Sequence, residues 1–79
     1  MQFKLLYFAI LSQDAGRSSE TFDSSAASPA ALYEELRVKR QLRPRSPAWR
    51  VAVNDSFAPW DSLLKDGDSI AFIPPVSGG

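Results

Sequence analysis

The sequence contains no cysteine and no histidine. Without cysteine there is no disulfide staple and no thiolate metal site, a composition suited to a reducing compartment. Without histidine, the commonest metal ligand and the usual general base at neutral pH are both missing. The two absences argue against a self-contained enzyme, a bound metal or a stably held cofactor. Net charge is lacking too: nine basic residues balance nine acidic ones, so no overall field favours nucleic acid or an anionic membrane. No stretch reaches the roughly 18 uninterrupted apolar residues of a membrane span. The apolar run Phe3 to Leu11 is interrupted by Lys4 and has no small-residue cleavage site at signal-peptide spacing. It therefore reads as a buried strand, with the cytoplasm the expected location.

What is present fits one small domain. At 79 residues there is room for a single modest core, and 44% hydrophobic with 23% charged residues sets the chain apart from disordered ones. Gln2 to Leu11 reads as a first, central strand, with Phe3, Leu5 and Tyr7 alternating with Lys4, Leu6 and Phe8. Ser12 to Ser19 is polar and contains Gly16, which predicts a hairpin loop; Glu20 to Ser24 predicts a return strand with Phe22 facing in. Ser28-Pro29 is a helix start, the serine accepting an orphan N–H and the proline having none to waste. Leu32 and Leu36 stack one turn apart, Glu35 can pair with Lys39, and the helix should stop before Pro44. Trp49 to Asn54 returns to strand character, Asn54-Asp55 is a turn, and Ser56 to Trp60 predicts a short strand. Lys65-Asp66-Gly67-Asp68 is the strongest turn signal and launches Ser69 to Pro74 as the closing strand. The order β-β-α-β-(β)-β is an α+β mixed sheet with one main helix on one face. A right-handed crossover places that helix over Phe3, Leu5, Tyr7, Val51, Val53, Ile70 and Phe72, with the first and last strands side by side at mid-sheet.

Glycine is scarce, and two of the four occupy the last two positions. Gly78 and Gly79 have no Cβ, so another protein's walls can close around their backbone. Pro74 and Pro75 keep the stem extended before Val76 and Ser77. The expected organisation is a domain over residues 1–75 and a flexible tail over 76–79 whose terminal carboxylate is the working group. The glycines alone are equally compatible with an inert tail. Ser77 has no base to activate it and belongs to tail geometry. Six of the nine basic residues, Arg37, Lys39, Arg40, Arg43, Arg45 and Arg50, lie in one stretch without an acid, which reads as a solvated helix end and loop. Trp49 and Trp60 read as core-edge residues with an indole N–H at the surface. Asp66 and Asp68 read as turn residues, not a catalytic pair.

A Gly-Gly end on this arrangement resembles the ubiquitin-like β-grasp fold. Within it, Arg50-Val51-Ala52-Val53-Asn54 and the run Leu64 to Gly79, with Lys65-Asp66-Gly67-Asp68 and Pro74-Pro75-Val76-Ser77-Gly78-Gly79, resemble the small, sulfur-carrying subunits of molybdopterin synthase. Leu6-Tyr7-Phe8-Ala9 is similar to that family's first strand. The likeness spans essentially the whole chain, with Gln13 to Ala27 and Lys39 to Ala48 matching in length more than in residues. The resemblance implies that an enzyme similar to a ubiquitin-activating enzyme adenylates Gly79 with ATP. A sulfur donor then displaces AMP, leaving a thiocarboxylate. In the family, the tail enters the large subunit of molybdopterin synthase, in a heterotetramer, and gives its sulfur to cyclic pyranopterin monophosphate in molybdenum cofactor biosynthesis. Catalytic lysines would come from the large subunit, and Gly78 and Gly79 are the reactive end. Phe8, Phe57 and Ile73, with Pro74, Pro75, Val76 and Ser77, match positions that meet the partner; neither nucleic acid nor membrane is implied. A ubiquitin-like modifier, or a sulfur carrier for tRNA thiolation or thiamin, would share the same terminus.

Overall fold

The computed structural model describes residues 1–75. Along it run β1 (Gln2–Tyr7), α1 (Ile10–Ala15), β2 (Ser19–Asp23), α2 (Pro29–Arg40), β3 (Arg50–Val53), β4 (Ser56–Ala58) and β5 (Ser69–Ile73). The strands form one mixed sheet in the order β2-β1-β5-β3-β4. The central pair, β1 and β5, is parallel, and every other neighbour is antiparallel. A parallel pair needs a long crossover, and α2 lies on the stretch that supplies it.

Alternation along the strands makes the core. Phe3, Leu5 and Tyr7 of β1, Phe22 of β2, Val51 of β3 and Ile70 and Phe72 of β5 are buried, together with Leu32, Tyr33 and Leu36 of α2. Tyr33 is the aromatic hub. Its ring meets Phe72 at 5.1 Å, Trp49 at 5.7 Å and Trp60 at 6.3 Å, all edge-on, the geometry that the ring quadrupoles favour. Its hydroxyl donates to the Arg43 carbonyl at 2.5 Å, fastening the loop after α2.

The start of α2 is as the sequence predicts: Ser28 Oγ accepts the Ala31 N–H at 3.2 Å, and Pro29 opens the helix. Glu35 pairs with Lys39 at 3.3 Å. Gln41 then adopts a left-handed conformation, ending the helix ahead of Pro44. Both central residues of the Asn54-Asp55 turn have positive φ, the type I′ geometry that joins tightly twisted strands. In the Lys65–Asp68 turn, Gly67 has φ 88°. This turn docks on β1: Gln2 N–H donates to Asp66 Oδ1 at 2.6 Å, and Gly67 N–H donates to the Gln2 carbonyl at 2.7 Å. Asp68 accepts from Asn54 Nδ2 at 2.9 Å and from the Lys65 N–H at 2.8 Å. Both carboxylates therefore serve the turn and the start of β5.

Two expectations are corrected. The first strand ends at Tyr7 rather than Leu11, and the supposed loop Ser12 to Ser19 contains most of α1 and the first residue of β2. A six-residue helix is marginal by itself; tertiary anchors hold this one. Leu11 is fully buried, Asp14 is clasped by Arg43 at 2.7 Å, and Gly16, with φ 75°, caps the end by donating to the Ser12 and Gln13 carbonyls. The second correction concerns Trp60, whose indole N–H donates inward to the Trp49 carbonyl at 3.3 Å, while its ring stacks on Phe72.

The chain turns into α1 through Ala9, at φ 54° and ψ −130°, with the Leu11 N–H closing on the Phe8 carbonyl at 3.1 Å. That is the first central position of a type II′ turn, where glycine is at ease and alanine is strained. Ala9→Gly is therefore expected to raise unfolding free energy by about 1 kcal/mol. Urea denaturation followed by tryptophan fluorescence measures it, and a variant less stable than the parent would contradict the strained turn.

Candidate functional site

Among the described residues no element covers the face of the sheet opposite α2, and the strand register composes it. One row crosses four strands: Leu6 of β1 pairs with Ala71 of β5, Ala71 with Ala52 of β3, and Ala52 with Phe57 of β4. In the next row, toward residue 75, Ile73 pairs with Arg50, and Phe8 follows the end of β1. Two alanines at the centre, flanked by large side chains, leave a depression. It is a groove of about 230 Å³ lined by Leu6, Phe8, Ala52, Asp55, Phe57, Ala71 and Ile73.

The three apolar residues singled out in the sequence, Phe8, Phe57 and Ile73, thus converge. Phe8 is 47% and Phe57 61% exposed, although each is large enough to favour burial. Clusters of this kind mark contact surfaces. Pro74 and Pro75 continue directly from Ile73, so the chain leaves the sheet at the groove's Phe8–Ile73 end. Pro74 is buried and Pro75 exposed. Val76, Ser77, Gly78 and Gly79 lie outside the described residues. Sequence reasoning missed Leu6, Ala52, Asp55 and Ala71 as lining residues. The signal was available: Leu6 and Phe8 are both apolar on the face of β1 away from the helix, and small residues recur at the facing positions of β3 and β5.

The basic stretch is largely neutralised within the fold. Arg37 pairs with Glu34 at 3.2 Å, Lys39 with Glu35 at 3.3 Å, Arg40 with Glu20 at 2.8 Å and Arg43 with Asp14 at 2.7 Å. Arg45 lies over the Trp60 ring at 4.2 Å and Arg50 over Phe57 at 4.1 Å. Arg40 ties α2 to β2, Arg43 ties the following loop to α1, and Arg45 ties that loop to Trp60 beyond β4.

Several carboxyl and phenol groups that anchor the fold are pushed away from neutrality. The Arg40 guanidinium beside Glu20, helped by the Tyr7 hydroxyl donating at 2.6 Å, holds that carboxyl below its ordinary 4.5. Burial, then the Glu20 contact, raises the Tyr7 phenol. Arg43 lowers Asp14, and the Lys65 N–H followed by the Asn54 amide lowers Asp68. Burial pushes Tyr33 up to about 12. These groups secure the fold in fixed charge states. Among the described residues, no cluster of three His, Cys, Asp or Glu side chains is placed to hold a metal ion, and no helix is long and apolar enough to cross a membrane.

Residues 5–79 match the model of the ThiS family. The chain belongs to the ThiS family. One relative is the molybdopterin synthase sulfur carrier subunit of Chlamydomonas reinhardtii, 36% identical over 83 residues, with all of both chains covered. Among solved structures, SAMP1 from Haloferax volcanii superposes with a TM-score of 0.81 at 23% identity, covering both chains in full; that likeness concerns the fold. A chain from the complex of subunits 1 and 2 of molybdopterin-converting factor from Helicobacter pylori superposes with a TM-score of 0.67 at 26% identity, again covering both in full. This ThiS-family chain therefore has the ubiquitin-like β-grasp fold expected from its sequence.

Two expectations follow from the burial and charge described. Phe57→Asp should leave the domain folded, with stability within about 1 kcal/mol of the parent, because the ring is exposed and outside the core; collapse of the near-ultraviolet circular dichroism would show that the ring is structural. The depressed Glu20 pKa gives the acid limb its sign. A carboxyl lowered in the folded state stabilises fully above its unfolded value near 4.5, and that contribution disappears as pH falls through the folded value. Glu20→Gln should cost on the order of 1–3 kcal/mol at neutral pH and flatten the fall in melting temperature below about pH 4.5. A variant with an unchanged pH profile would remove Glu20 from this role.

Proposed function

We propose that this chain is the sulfur carrier subunit of a molybdopterin synthase, with the carboxyl group of Gly79 as its reactive centre. The observation that carries the reading is the alignment of the apolar groove with the exit of β5, in a chain similar over its full length to molybdopterin synthase sulfur carrier subunits. The groove offers a docking surface. The strand beside it ends at Ile73, so Pro74 and Pro75 leave the sheet at the end of that surface.

The chemistry follows from the terminal carboxylate being a poor acyl donor. An activating enzyme joins the Gly79 carboxylate to the AMP portion of ATP, releasing pyrophosphate and making a mixed anhydride. The terminal sulfur of a donor persulfide attacks the carbonyl carbon and AMP departs; a thiol then cleaves the S–S bond of the acyl disulfide, leaving as a disulfide with the donor, and a thiocarboxylate remains. Its sulfur is nucleophilic and is delivered to cyclic pyranopterin monophosphate in the large subunit, which contributes the catalytic side chains. Gly78 and Gly79 let the tail pass a narrow channel. Fixing the backbone of a four-residue peptide in a partner's channel costs roughly 4–8 kcal/mol at 1–2 kcal/mol each, and burial of the Phe8, Phe57 and Ile73 surface helps to offset a cost of that size. The complex of molybdopterin-converting factor subunits 1 and 2 from Helicobacter pylori supports a two-subunit arrangement for this chain.

Intact-mass measurement on chain purified from cells competent for sulfur loading is the direct test. The expected species has one oxygen replaced by sulfur. Deletion of Gly79 should abolish that species and leave the melting temperature unchanged, since the core lies within residues 3–72. Sulfur loading of the shortened chain would refute the scheme, and recovery of the chain joined to lysines of other proteins would favour a modifier instead.

A further inference from the structure

Arg50 stands at the edge of the groove and, like Arg45, rests on an aromatic ring rather than against a carboxylate. Arg37, Lys39, Arg40 and Arg43 each have a carboxylate partner. Arg50 has no ion-pair partner among the described residues. Its guanidinium instead rests 4.1 Å from the centre of the Phe57 ring, and its backbone pairs with Ile73. One face of the guanidinium is thus held against a groove-lining side chain, while its in-plane N–H donors are left available. Asp55 sits in the turn at the other end of the β3–β4 hairpin and lines the groove. The surface has a positive end, where the chain departs toward residue 76, and a negative end at the hairpin turn.

This polarity constrains whatever covers the groove. A partner that buries Phe57 also removes water from the cation lying on it. A guanidinium desolvated without an anion is costly, whereas a carboxylate can accept two of its parallel donors and restore what hydration supplied. The geometry points to a charge-selective docking site: the partner surface presents apolar side chains to the Ala52–Ala71 floor and a carboxylate to Arg50. The pairing orients the partner, because the same carboxylate placed at the opposite end would face Asp55. It also disfavours surfaces that are merely hydrophobic. The inference rests on the reading above, in which the groove receives the large subunit, and it adds the chemistry that subunit must bring.

The test is calorimetric titration of the full chain with the purified molybdopterin synthase large subunit of the same organism, at low and high salt. Arg50→Glu should weaken binding about tenfold or more at low salt, with the gap narrowing as salt screens the pair. Arg50→Gln should fall between it and the parent. Reversing the opposing carboxylate on the large subunit to lysine should restore binding by Arg50→Glu. Binding of Arg50→Glu within about twofold of the parent, or tighter binding by Arg50→Leu, overturns the charge pairing. Phe57→Asp separates the two levels. If it abolishes binding while Arg50→Glu does not, only the charge pairing fails; if it binds like the parent, the groove reading itself fails. Self-association of the isolated chain that Arg50→Glu abolishes would place a second copy in the groove and also overturn the assignment.

Discussion

The parallel pairing of β1 with β5 is the constraint from which the rest of the structure follows. It joins the first and last strands, fixed by Lys4 opposite Ser69 through Tyr7 opposite Phe72. Because parallel neighbours cannot be joined by a tight turn, the intervening chain has to cross the sheet. The crossover buries α2 on one face and leaves the other face open. The same register puts Leu6 beside Ala71, which starts the groove, and Tyr7 beside Phe72, which anchors the core. The Lys65–Asp68 turn serves this pairing: its contacts with Gln2 hold the start of β5 against β1.

The two faces then divide the work. On the helix side, Tyr33 gathers Trp49, Trp60 and Phe72, and its hydroxyl holds the loop after α2. Ion pairs at the rim, chiefly Arg40 with Glu20 and Arg43 with Asp14, tie the helix to the hairpin and to α1. On the open side the side chains are small, half-buried or exposed, and none but Ala71 is buried. Substitutions of the exposed residues Phe8 and Phe57 on that face are therefore expected to have limited effect on folding. The Arg50–Phe57 contact belongs to this open side, joining a charge to an apolar surface without engaging the core.

Much of this was legible in the sequence because its local signals agreed with the tertiary outcome. Ser28-Pro29 announced α2, Asn54-Asp55 announced the hairpin, and the alternation of Phe3, Leu5 and Tyr7 identified the helix-facing side of β1. Phe8, Phe57 and Ile73 were identified through a family resemblance, and the observed register explains why they share a face. What escaped was tertiary in origin. Nothing local marks Ile10 to Ala15 as a helix; Leu11 inserted in the core and Asp14 held by Arg43, 29 residues away, make it one. Trp60 looked like a surface indole because its partner is a backbone carbonyl 11 residues distant. The alanine floor was missed because small residues draw attention only once their cross-strand neighbours are known.

The placement of β5 has a consequence for biogenesis. It is the last of the five strands to be synthesised, yet it occupies the middle of the sheet, between β1 and β3. Until it emerges from the ribosome, the two flanking halves have no common seam. Translation that stops before Ser69 yields a chain with neither a closed core nor a floor for the groove. Completion of the sheet and formation of the groove floor are thus one event, because Ala71 of β5 supplies part of both.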